Sequence, residues 1–211
     1  MIRENLSASD YIDYFKGRDW VHMLGFCAPD WKAFATRHHE LFGSGPFFYT
    51  TNTFGKLVYH GDEVSCKDVE FRACYGGWGS HAVEVVQPVP FDAPTMFRDA
   101  NRSDEPGFNH IHIIVEDLVE AQDACDFLGI PIVTVGYGDV ENALKKAEMA
   151  GVPTGEILRK AQHPSFMVAD MRKDLGTMVQ LVEPSANRLY EAVRAAKEGW
   201  DGETDLFRKL G

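Results

Sequence analysis

The chain has 211 residues, of which 45% are hydrophobic and 25% charged, and its 32 acidic against 21 basic residues give a net charge of -11. That balance argues against a nucleic-acid partner or an anionic membrane surface, and no apolar run reaches the ~18 residues of a membrane span. The expectation is an acidic cytoplasmic protein that handles a small molecule, with Cys27, Cys66, Cys74 and Cys125 too scattered for a zinc or redox motif.

In chain order, the polar cap Ser7-Ala8-Ser9-Asp10 precedes Tyr11, Ile12, Tyr14 and Phe15, which predicts a short lead helix within residues 1–17. Residues 21–27 read as a strand and Pro29-Asp30 as a corner. Residues 31–42 read as a helix with Trp31, Phe34, Ala35 and Leu41 on one side, stopped at Gly43. Four β-rich runs follow, at 47–53, 56–60, 69–74 and 81–86, divided by Gly61-Asp62 and Gly76-Gly77. About three of these should pair with the first strand in the order βαβββ. The second half repeats that order, with a strand at 110–115, a helix at 119–128 ended by Gly129, and strands at 132–135, 166–170 and 177–182. A further helical segment at 140–150 is expected as an inserted helix-turn unit.

The halves also align directly. Asp30 at the first strand-helix corner corresponds to Asp117 at the second, an offset of 87 residues. Val83-Glu84-Val85-Val86-Gln87-Pro88 corresponds to Val179-Gln180-Leu181-Val182-Glu183-Pro184, an offset of 96. Two matches in the same order and context indicate internal duplication, with the difference absorbed by extra chain in the second half. The expected organisation is a lead helix at 1–17, modules at 18–104 and 105–184, and a C-terminal helix at 185–211.

The run from Asn109 to Leu118, the run from Leu41 to Phe48 and the closing Asp174 to Pro184 stretch resemble the vicinal oxygen chelate superfamily over residues 20–184. The resemblance implies an α+β, glyoxalase-like fold in which two tandem βαβββ modules of curled mixed β-sheet enclose a cleft. It implies a divalent metal ion (Zn, Ni, Co, Mn or Fe) held by one residue from the first and one from the last strand of each module. Carried over position by position, these are Met23, Glu84, His110 and Gln180. Met23 and Gln180 depart from the common pattern, because a thioether is a poor ligand for such ions and an amide cannot take a proton. A bound metal, with His110, Glu84 and Gln180 as ligands, and a metal-free cleft are both compatible with these residues. His22 could supply a ligand only if a bulge changed its side-chain parity.

His112, two residues beyond His110, shares its face of the strand and is expected as a substitute base, a substrate contact or a metal ligand. His112 and Glu84 are therefore the candidate catalytic residues, and Met23, Phe48 and His163 the candidate substrate contacts. His38, His39, His60 and His81 read as structural or solvent-facing. The leading expectation is a glyoxalase- or epimerase-like lyase or isomerase acting on a small carbonyl or carboxyl compound, as a homodimer. The alternatives are a metal-free binding protein of the bleomycin-resistance type and an extradiol-type ring-cleaving dioxygenase, whose two-His-one-carboxylate composition His110, His112 and Glu84 provide.

Overall fold

The structure is a computed structural model that describes residues 7–18, 20–52, 54–65, 68–100, 104–141, 144–145, 148, 154–155 and 162–210, without the side chains of residues 20–22 and 52. Its elements are α1 (Ala8–Asp13), β1 (Trp20–Cys27), α2 (Trp31–Phe42), β2 (Phe47–Asn52), β3 (Lys56–Tyr59), β4 (Asp62–Val64), β5 (Glu70–Trp78), β6 (His81–Val89), α3 (Met96–Ala100), β7 (Gly107–Ile114), α4 (Leu118–Leu128), β8 (Ile132–Tyr137), β9 (Pro164–Met171), α5 (Arg172–Leu175), β10 (Thr177–Val182), α6 (Pro184–Ala195) and β11 (Phe207–Lys209). The inserted helical segment expected at 140–150 lies mostly outside the described residues.

The chain is an α+β protein in which β1-α2-β2-β5-β6 and β7-α4-β8-β9-β10 are two βαβββ units. The described strands form one sheet in the order β11-β2-β5-β6-β1-β7-β10-β9-β8-β3-β4. Within each unit the first strand runs parallel to the last, Gly25 beside Glu84 in one and His112 beside Gln180 in the other, so the duplication extends to register. The units meet at the antiparallel pair β1–β7.

The corners repeat atom by atom. Asp30 accepts from the backbone N–H of Lys32 and Ala33, and Asp117 from those of Val119 and Glu120, as helix N-caps do. Gln87 accepts from Trp31 N–H at 3.5 Å, and its counterpart Glu183 accepts from Leu118 N–H at 3.2 Å. Both helices end on a left-handed glycine, Gly43 and Gly129. Asp30→Ala and Asp117→Ala are each expected to lower stability by about 1 kcal/mol, read as a shift in the denaturation midpoint, with nearly additive effects in the double variant.

One strand pair departs from the expected first module. The β3–β4 hairpin leaves its own unit and adds to the far edge of the second, where Leu57 pairs with Gly136 and Tyr59 with Thr134. The Gly55 N–H donates to Tyr137 O at the point of crossing. Alternation marks residues 56–60 as strand but carries no information about which edge they join.

Three apolar clusters matter for the site. Val83, Val85 and Ala35 pack where α2 covers one face of the sheet, and Val179, Leu181 and Ala121 do the same under α4. On the opposite, concave face, Met23, Tyr75, Val86, Val182 and Tyr190 form a cluster that α6 covers. Cys27, Cys74 and Cys125 are buried free thiols, and burial pushes Cys27 and Cys125 up to about 12, far from a reactive thiolate. Among the described residues no helix is long and apolar enough to cross a membrane.

Candidate metal centre

Strand alternation places Ala82, Glu84 and Val86 on the concave face of β6, and Val83 and Val85 against α2. Across the sheet, His110 and His112 project from β7 onto the same face. The structure brings three of the expected residues together: His110 Nε2 lies 3.1 Å and His112 Nε2 3.2 Å from Glu84 Oε2, and the two ring nitrogens are 2.9 Å apart. Both histidines are fully buried and Glu84 nearly so.

Backbone irregularities make this convergence possible. Gly25 pairs with His110 and Phe26 with Phe108, so Asn109 is an extra residue on β7. Its side chain turns toward the site, where Asn109 Nδ2 donates to Phe97 O and Oδ1 accepts from His110 Nδ1 at 3.0 Å. That partner puts the proton of a neutral His110 on Nδ1 and leaves Nε2 as a lone pair facing Glu84. The seat for the His110 ring is Gly25, where an added Cβ would stand 2.2 Å from His110 Cε1. On His112, Nδ1 lies 3.3 Å from the Tyr190 hydroxyl, which α6 supplies.

Electrostatics favour a cation at the centre. Burial by itself would push the Glu84 carboxyl up, but hydrogen bonds and charge from His110 and His112 in their protonated forms outweigh burial and hold it well below the usual carboxylate range. Burial above all pushes His112 down to about 4. The carboxylate oxygen and the two ring nitrogens form a triangle with sides of about 3 Å. Two donors bound at right angles about 2.1 Å from an ion also stand about 3 Å apart. The residues therefore fit a divalent ion in spacing, in ligand type and in charge. Asn109 and Tyr190 occupy the positions that orient metal-bound imidazoles.

Glu84 opens onto a cavity of about 210 Å³ enclosed by both units, α6 and the segment before α3. Phe54, Phe71, Phe97, Phe166, Tyr75 and Tyr190 are among the residues of its wall, and the exposed Pro94 and Ser165 mark its rim. Gln180, expected as a ligand, lines this cavity. Met23 is fully buried in the apolar cluster of the concave face. Phe48 packs against that cluster from β2 with Arg208 over its ring, and neither Met23 nor Phe48 is among the described residues lining the cavity.

His163 also lies apart, 2.6 Å from Glu183 at the α4 corner. A β1 irregularity between Val21 and Leu24 spans His22, whose side chain is outside the described residues. His38 and His39 bond to Ser44 and close the end of α2, and His60 bonds to Asp99.

Sequence reasoning passed over Gly25, Asn109, Tyr190, Thr95 and Thr134. Tyr190 alone carried a signal, since it shares the apolar stripe of α6 with Ala186, Leu189 and Val193. The others acquire their roles from chain segments distant in sequence.

No family model matches the chain, and no curated protein matches it. Among solved structures it is similar to methylmalonyl-CoA epimerase from Mycobacterium tuberculosis, at 12% identity over 79% of this chain and 89% of that one, with a TM-score of 0.45. A hypothetical protein from Bacillus halodurans gives 12% identity over 80% and 95%, with a TM-score of 0.45. A mutant of 4-hydroxymandelate synthase from Streptomyces coelicolor gives 14% identity over 86% and 54%, with a TM-score of 0.44. The overlaps are partial, and the chemistry assigned to the site rests on the chain's own residues.

Proposed function

We propose that the protein is a mononuclear metalloenzyme that binds a compact, oxygen-bearing substrate of about one ring beside a two-His-one-carboxylate centre. The observation that carries this reading is the convergence of Glu84, His110 and His112 within 3.2 Å at the wall of an aromatic cavity. A cavity of about 150 Å³ accepts benzene, so one of this size suits a ring with a short substituent.

A divalent ion held there supplies Lewis-acid binding of substrate oxygens and, as Fe(II), the open positions that oxygen-activating enzymes of this ligand type use. The chain's own residues do the rest. Glu84 offsets part of the ion's charge, Asn109 fixes the His110 tautomer, and the aromatic wall excludes water and holds the ring. The Gln180 amide can donate to a substrate oxygen but cannot accept a proton.

That last point separates the candidate chemistries. An isomerase or lyase working through an enolate-like anion needs a base beside the substrate carbon. Among the described residues lining the cavity, the titratable groups are Glu84 and tyrosines, and burial pushes the Tyr190 phenol well above its ordinary value. With His112 and Glu84 engaged as ligands, the cavity favours oxygen-activating chemistry over proton shuttling.

The test begins with chelator-treated protein titrated with Fe(II), Mn(II), Co(II), Ni(II) and Zn(II). One equivalent is expected to bind at about micromolar or tighter. Fe(II)-loaded protein should then consume dioxygen with some member of a panel of catechols and aryl 2-oxo acids. Solvent deuterium entering hydroxyketones without oxygen uptake would replace this reading with the isomerase one, and absence of metal binding would leave a binding protein.

A further inference from the structure

Thr95 and Thr134 are both almost fully buried, both line the cavity, and neither side-chain oxygen has a hydrogen-bond partner among the described residues. A buried hydroxyl without a partner costs about 1–3 kcal/mol, so two facing one cavity call for an explanation. The setting of each makes the omission pointed. Thr95 immediately precedes α3, and its carbonyl accepts from Arg98 and Asp99 N–H, yet its hydroxyl does not cap that turn. Thr134 sits in the middle of β8 at a register shift that separates it from Ile132, paired on both sides through its backbone while its side chain remains unmatched. Their chain neighbours Met96 and Val133 pack in one apolar cluster, and both threonines line the one cavity.

We infer that Thr95 and Thr134 form a recognition subsite for an uncharged hydroxyl or carbonyl carried by the substrate's ring, so that the substrate is an oxygenated, phenol-like ring compound. The inference rests on reading this cavity as the substrate pocket. A threonine hydroxyl both donates and accepts, so a pair can satisfy either the O–H or the lone pairs of such a group. The described lining contains no Lys, Arg or His, so apart from a metal ion held at Glu84 nothing there neutralises a carboxylate or phosphate, and the group the threonines recognise is neutral. Phe97 and Phe166, which border the same cluster, provide faces for the ring.

The experiment compares p-cresol with toluene as probes of the full chain, both Zn(II)-loaded and chelator-treated, by NMR titration. The parent should bind p-cresol at least as tightly as toluene. Thr95→Val and Thr134→Val should each shift selectivity toward toluene about fivefold, as loss of one hydrogen bond does, and the double variant further. Thr134→Ser, which retains the hydroxyl, should keep the parent selectivity. Melting temperatures of the valine variants should match or exceed the parent's, because each removes an unmatched buried hydroxyl. Unchanged selectivity in both valine variants, or a parent that favours toluene to the same extent as they do, overturns the inference. Zn(II) affinity read on the same samples tests the metal centre separately: its absence in the parent defeats the metalloenzyme reading, while the chelator-treated selectivities still decide the subsite.

Discussion

Glu84→Gln is expected to lower metal affinity by more than about 100-fold while leaving the metal-free protein as stable as the parent, or more so. The floor comes from groups that merely orient metal ligands, whose loss already costs 10–100-fold. The second half of the expectation comes from counting protons. In the parent, Glu84 Oε2 and the Nε2 atoms of His110 and His112 stand within 3.2 Å of one another, and Asn109 holds the proton of a neutral His110 on the far nitrogen.

Glutamine keeps the shape, removes a buried charge and brings N–H donors to face those ring lone pairs. If the cluster were instead a structural ion pair between a carboxylate and an imidazolium, removing one partner would strand a buried charge and cost about 3–5 kcal/mol. Denaturation of chelator-treated parent and variant, paired with Zn(II) titration of each, distinguishes the two. A large loss of stability in the variant would sink the metal-centre assignment.

Gly25→Ala is expected to damage fold and site together. An ideal Cβ at this position stands 2.2, 2.4 and 2.5 Å from three atoms of the His110 ring. The ring cannot simply step aside, because Asn109 holds one nitrogen, Glu84 and His112 face the other, and Phe97 lies 6.1 Å away centroid to centroid. Either His110 leaves the cluster, or β1 and β7 part at the seam that joins the two units. Overpacking of this kind costs about 1–3 kcal/mol, and displacement of one ligand should reduce metal affinity by at least about tenfold.

Gly138→Ala is the control, since its Cβ would meet only Ser165 Oγ, at 3.9 Å. Parent-like Zn(II) affinity in Gly25→Ala would show that the His110 ring need not stay where it is. Unlike Glu84→Gln, which separates stability from metal binding, this substitution should lower both.

Local patterns in the sequence already specify a good deal. Asp30 and Asp117 followed by amphipathic runs and a glycine stop define α2 and α4, because capping and the 3.6-residue period involve only neighbours in the chain. The two-residue period of a strand likewise puts His110 and His112 on one face of their strand, and Glu84 with Ala82 and Val86 on one face of theirs. The duplication pairs first with last strand in each unit, and the parallel registers Gly25 with Glu84 and His112 with Gln180 follow its offsets.

Contacts across the seam are a different matter. The spacing of residues 22–25 and 109–112 contains neither the shift that inserts Asn109 nor the pairing that sets His110 over Gly25, because both depend on how β1 meets β7. The resemblance offered one position from each of four strands; the structure gathers Glu84, His110 and His112, with Gln180 on the wall of the cavity that Glu84 lines and Met23 in the core. The β3–β4 hairpin, the Tyr190 hydroxyl and the unmatched hydroxyls of Thr95 and Thr134 come to the cavity from segments dispersed along the chain. Sequence by itself determined the elements, their faces and the repeated unit, since these arise from interactions a few residues long. Only the tertiary structure decided which faces meet and what stands at their centre, since register and close packing are set by contacts between residues far apart in the chain.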